Sequence, residues 1–220
     1  MKQVPAGGAH RFERSISDPG EERFFRVWQN WEYRPGRLEW LNGRDGLDAP
    51  WFGTRKKARI PVSTLPPPDA KFKGPSKQVV DFYSTGCDAF FISDKLFRLI
   101  EEMDPGSLEH VPFELRAADG LLPFQAVMPF RCLEAIDPCR TTVLIRDEPL
   151  SNNRFSRKVE FPEGIVFDNA VLEGVASFSD IDSAGWYWSK ELLTEAKARG
   201  IRGLYADSIA SEDRREVARL

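Results

Sequence analysis

Histidine is nearly missing from this 220-residue chain, which holds only His10 and His110. Its three cysteines, Cys87, Cys132 and Cys139, form neither an even set nor a C-x-x-C pair. Such a set lies outside zinc-binding patterns, so no metal site is expected. Also missing is any run of about 18 consecutive apolar residues, which excludes a membrane-spanning helix. The start, MKQVPAGGAH, lacks the apolar stretch of a secretory signal, so the expected compartment is a reducing cytoplasm with no membrane partner.

The motifs of common chemistries are absent too. No G-x-x-x-x-G-K-[ST] or G-x-G-x-x-G is present to cradle a phosphate, so no cofactor is expected. No G-x-S-x-G marks a hydrolase nucleophile. An enzymatic alternative rests on YSTGC (Tyr83 to Cys87), with His110 as base, or on carboxylates such as Asp81, Asp88, Glu114, Asp137 and Asp168 converging. Against it, buried cysteines are usually inert packing groups, and with 34 acids in the chain some convergence arises by chance. The expectation is therefore no catalytic residue and no enzyme.

What the chain does have is an ordinary globular composition, 41% hydrophobic and 30% charged, and the length for a real core. Its net charge of −3 is unevenly spread: residues 1–80 hold 15 Lys and Arg against 9 Asp and Glu, residues 81–220 hold 16 against 25. An acidic later part repels phosphate and suits a basic protein partner. A nucleic-acid or scaffold role is the second alternative, resting on the basic run RKKAR (Arg55 to Arg59) beside Trp51 and Phe52. Five residues are a short stripe for that purpose, and a solvated loop explains them as well.

Two stretches share one grammar. In VVDFYSTGCDAFFISDKLFRLIEEM (Val79 to Met103), Phe90 to Ile92 read as a strand, Ser93 as a helix cap, and Leu96, Phe97, Leu99, Ile100 and Met103 as a buried helix face. In GWYWSKELLTEAKARGIRGLY (Gly185 to Tyr205), Trp186 to Trp188 are the strand, Ser189 the cap, and Gly200 the stop. Around them, residues 1–20 read as a mobile lead-in. Residues 21–76 read as an aromatic N-terminal subdomain with a Pro-rich surface crossing, and 77–220 as the main body. FFRVWQNWEY and RLEW flank a Pro35–Gly36 turn, predicting a hairpin. Strands are expected at His110–Leu115, within 124–137 and at Thr141–Arg146, one or two more within 165–179, and a third helix from Ser211. The predicted class is α+β, mainly antiparallel or mixed sheet with about three short helices.

The N-terminal aromatics carry the partner expectation. Trp31, Tyr33, Arg34, Trp40 and Trp51 are of the residue types that dominate interface hot spots, with Trp28 and Phe24 assigned to an inward face. Roughly half of such aromatics should be core.

The order of short motifs resembles an immunity-protein family of bacterial polymorphic toxin systems, first catalogued as a domain of unknown function. The motifs are Asp81–Phe82, the strand into Ser93 and Leu96, Leu133 to Asp137, Ile165 to Phe167, Trp188–Ser189, and a helix closing on Gly203–Leu204. The resemblance covers about residues 79–206. It implies an α+β protein that binds and neutralises a cognate toxin without cofactor or catalysis. It also places Asp81, Phe82, Asp137 and Phe167 at recurrent family positions, with Phe82 and Phe167 as core and the two acids capping turns or strand ends.

Overall fold

The computed structural model describes residues 10–12, 23–30, 37–42, 66–85, 89–149, 155–180, 183, 185–209 and 217–219. In chain order come strands β1 (His10–Phe12), β2 (Phe24–Gln29), β3 (Leu38–Trp40) and β4 (Ala70–Phe72). A hairpin of β5 (Phe82–Ser84) and β6 (Phe90–Ser93) runs directly into helix α1 (Asp94–Met103). The long hairpin β7 (Leu108–Ala117) and β8 (Gly120–Pro129) follows, then β9 (Cys132–Leu133) and the hairpin β10 (Val143–Pro149) and β11 (Phe155–Glu160). Another hairpin, β12 (Ser177–Asp180) and β13 (Trp186–Ser189), enters helix α2 (Lys190–Ala198), before β14 (Leu204–Ser208) and β15 (Val217–Arg219).

Two six-stranded sheets, β15-β14-β2-β13-β12-β9 and β3-β4-β7-β8-β6-β5, and a three-stranded sheet, β1-β10-β11, make an α+β fold that is mainly β. The two large sheets are mixed, β9 running parallel to β12 and β4 to β7, whereas the three-stranded sheet is antiparallel. Both helices begin as their serines dictate, Ser93 Oγ accepting from the Leu96 amide and Ser189 Oγ from the Leu192 amide, each at 3.2 Å. Their apolar faces meet between the large sheets, where Leu96, Leu99 and Ile100 join Leu192, Leu193 and Ala196, Phe82 and Ile92 from one sheet, and Trp186, Trp188 and Leu204 from the other. Among the described residues, no helix is long and apolar enough to cross a membrane.

Several expectations change. The hairpin at Pro35–Gly36 does not form: β2 lies between β13 and β14, while β3 pairs with β4 in the other sheet. Strands from the segment 21–76 thus share both large sheets with strands from 77–220. Part of the Pro-rich crossing is strand β4, with Ala70 and Phe72 buried, because its prolines stop at Pro68 and resume at Pro75. Within the expected lead-in, His10–Phe12 pairs with β10. The expected third helix lies mostly outside the described residues, but its end, Val217–Arg219, is a strand on β14. In the 165–179 stretch the strand is Ser177–Asp180, preceded by turns and a single bridge from Phe167 to Ile136.

The shared grammar proves to be architectural. Ser93 and Ser189, Leu96 and Leu192, and Leu108 and Leu204 are all 96 positions apart. Each hairpin–helix–strand unit has the same neighbours: Phe124 of β8 stands opposite Ser93 as Phe24 of β2 stands opposite Ser189. Leu108 likewise faces Pro129 as Leu204 faces Gln29. The two halves share one arrangement of four central strands and a helix, with β2 from the N-terminal part of the chain occupying the position β8 holds in the first half, while the next strand differs, β4 lying parallel to β7 and β15 antiparallel to β14.

Candidate functional site

A groove of about 540 Å³ opens at the start of α1. Val79, Leu122 and Phe124 contribute its apolar lining, and Asp94, Lys95 and Arg98 of α1 its charged rim, with Arg199 arriving from the end of α2. An apolar floor within a polar rim is the usual make-up of a binding surface, and the volume is that of a ligand pocket.

Hydrogen bonds account for its polar groups. Asp81 Oδ1 accepts from Ser93 Oγ at 2.6 Å, and Asp81 Oδ2 from the Arg202 amide at 2.8 Å. Ser93 Oγ is in turn the cap of α1, so acid and hydroxyl are both held in the scaffold. Arg98 pairs with Asp94 at 2.7 Å, Lys95 Nζ donates to the Gly200 carbonyl at 3.3 Å, and Arg199 pairs with Glu102 at 2.6 Å and Glu195 at 2.7 Å. The bonds from Glu195 and Glu102 raise the Arg199 pKa. At the far edge, Ser76 donates its amide and hydroxyl to Asp119, which holds that carboxyl below its usual range.

Around this groove the structure gathers Asp81, Phe82, Ser93 and Gly203. Phe82 is fully buried, and Gly203 runs so close that a Cβ there would lie 2.5 Å from Val80 Cγ2. Asp137 and Phe167 lie elsewhere, at the Ile136–Phe167 bridge, where Asp137 Oδ1 accepts from the Cys139 amide at 2.8 Å and Phe167 packs edge-on against Phe178 and Tyr187. Ser189 caps the other helix. Of the carboxylates weighed for catalysis, Asp81 lines the groove, Glu114 is exposed on β7, and Asp137 and Asp168 flank the bridge. Asp88 and Cys87 lie outside the described residues. Among the described residues no group of three or more His, Cys, Asp or Glu could hold a metal ion.

Trp31, Tyr33, Arg34 and Trp51 also lie outside the described residues, as does the basic run 55–59. Trp40 is half-buried: its Nε1 donates to Asn42 Oδ1 at 2.8 Å and its ring meets Phe91 edge-on at 5.1 Å. Phe24 is core, whereas Trp28 is half-buried beneath the Arg26 guanidinium, 3.9 Å from the ring centroid. A feature that sequence reading passed over is a relay in which Gln125 of β8 links His110 of β7 to Asp94 of α1. Three separate elements supply it, so no local spacing announces it.

No protein-family model and no curated protein matches this chain.

Proposed function

We propose that this chain is a non-enzymatic, immunity-type protein of the bacterial cytoplasm that binds a cognate protein toxin and neutralises it by covering its active cleft. The observation that carries the reading is the state of the groove. Its acids are committed to partners within the fold, Asp81 to Ser93 and Arg202, Asp94 to Arg98 and Gln125, and Glu102 to Arg199, and its hydroxyls, Ser76 and Ser93, donate to Asp119 and Asp81, which leaves an apolar floor and charged rim suited to contact. The order of the family-like motifs supports the immunity-type reading, and the acidic balance of residues 81–220 favours a basic partner, for which opposite charge speeds encounter.

Co-expression with any toxin gene found beside this one tests the proposal. Survival of the host, with recovery of a one-to-one complex from purified components, is the expected result. Death of the host with no complex would sink it.

A further inference from the structure

The two halves of the fold differ sharply in polarity at one corner. In the first half Gln125, only 7% exposed, donates from Nε2 to Asp94 Oδ1 at 3.2 Å and turns Oε1 towards His110 Nδ1 at 3.1 Å. The equivalent positions in the second half are Phe25 for Gln125, Lys190 for Asp94 and Ala206 for His110. The same corner is therefore built there without the relay. Burying an amide costs free energy unless it is bonded, so the architecture alone gives no reason for Gln125.

The relay also fixes a proton. The Asp94 carboxylate, paired with Arg98, only accepts, so Gln125 presents its NH₂ to Asp94 and its carbonyl to His110. His110 Nδ1 must then donate, which leaves the lone pair of the neutral ring on Nε2. The side chain is exposed, and its ring lies against Phe97 with centroids 4.4 Å apart. Asp94, Phe97 and Glu101 follow one flank of α1 at helical spacing; Glu101 Oε2 accepts from the Gly106 amide at 3.2 Å, while its Oε1 is buried with no donor. Glu114 shares the His110 side of β7, by strand alternation. Arg116 shares that side too and is paired with Asp69, so the flank combines an oriented acceptor, an aromatic face and the carboxylates of Asp94, Glu101 and Glu114 against Arg98 and Arg116.

We propose that this flank, centred on His110, receives an arginine side chain from a basic protein partner. A guanidinium suits it because it can donate to His110 Nε2, lie against the aromatic rings and meet carboxylate charge at once. This deepens the toxin-binding reading and rests on it for the partner's identity, while the site itself can be tested without any toxin.

The site is tested by titrating N-acetyl-arginine amide into the ¹⁵N-labelled full chain. Amide shifts clustered at Asp94, Phe97, His110 and Gln125, and lost in Asp94→Lys, are expected. Absent shifts, or shifts scattered over other acidic positions such as Glu173, overturn the site. Asp94→Lys and His110→Ala install residues that the second half already carries at those positions, so both variants should fold, which thermal melts check. Against the adjacent toxin, each variant should bind at least about tenfold more weakly while Glu173→Lys binds as the parent does. Parent-like binding by Asp94→Lys and His110→Ala overturns the inference. If the parent chain itself fails to bind, the toxin-binding reading falls, and the arginine titration still decides the site.

Discussion

Asp81 and Arg202, 121 residues apart, hold each other twice: the Arg202 amide donates to Asp81 Oδ2 and the Asp81 amide to the Arg202 carbonyl, both at 2.8 Å. That contact ties the turn after α2 to the start of the β5–β6 hairpin, and a counterpart ties the end of α1 to the start of the β12–β13 hairpin, where Asp104 Oδ2 accepts from the Ala176 and Ser177 amides, also at 2.8 Å. Each half therefore docks the turn after its helix onto the entry of the other half's hairpin. These two clasps close the interface in which the helices pack.

The Asp104 clasp should be the more costly to break. The carboxylate is 3% exposed and bonded to Arg131 at 2.5 Å as well as to the two amides. Asp104→Ala orphans a partly buried guanidinium and two buried N–H groups, and about 3 kcal/mol or more of stability should go. Urea denaturation measures it. A loss below about 1 kcal/mol would mean that the clasp is dispensable.

The two caps should differ. Ser189→Ala removes one cap, worth about 1 kcal/mol. Ser93→Ala removes a cap and the 2.6 Å bond to Asp81, so its loss should exceed that of Ser189→Ala by about 1 kcal/mol. Paired chemical denaturation curves compare them directly.

Gly203 is expected to tolerate no side chain. Its φ is +98°, and a Cβ would meet Val80 at 2.5 Å and the Phe82 carbonyl at 3.2 Å. Gly106, with φ +72°, has open space at the same distance. Gly106→Ala should therefore cost about 1 kcal/mol of backbone strain, and Gly203→Ala clearly more, through the added clash. Melting temperatures in that order confirm the expectation.

Alkaline stability should report on Tyr83. Burial pushes its pKa up from 10.0 to about 12, while the Val80 amide donates to the hydroxyl at 3.0 Å. The folded state keeps this proton after the unfolded chain has lost it. The contribution is thus intact below pH 10.0 and declines as pH rises towards about 12, by roughly 1.4 kcal/mol per pH unit. Tyr83→Phe should flatten this part of the alkaline slope, though it also leaves the Val80 N–H unpaired and lowers stability at neutral pH. Denaturation midpoints between pH 9 and 12 test the comparison.

Legibility followed sequence distance. The strand, cap and helix at Phe90–Met103 and at Trp186–Ala198 were readable because their causes are local: aromatic and branched residues favour strand, a serine accepts from an amide three residues on, and leucines recur with the helical period. The α+β class followed from adding such pieces. The hairpin predicted from Pro35–Gly36 failed for the complementary reason. A turn signal says that a chain can reverse, not which strand it will meet, and β2 finds β13 and β14 more than 150 residues away. The site was less legible than the fold. Asp81 and Ser93 belong to one recognisable segment, but Arg199 reaches the groove, Arg202 reaches Asp81 and Gln125 reaches Asp94 from elements that no spacing connects.

What the sequence by itself determined is therefore the set of building blocks: two capped helices with one apolar face each, the strands leading into them, and an acidic later part. The tertiary structure alone decided that these blocks form two halves with the same arrangement of central strands and helix. It also placed β2 in the second half where β8 stands in the first, and turned His110 outward with Nδ1 against Gln125 Oε1. Periodicity and capping act over a few residues, whereas strand neighbours, clasps and relays depend on which surfaces can be buried together across the whole chain.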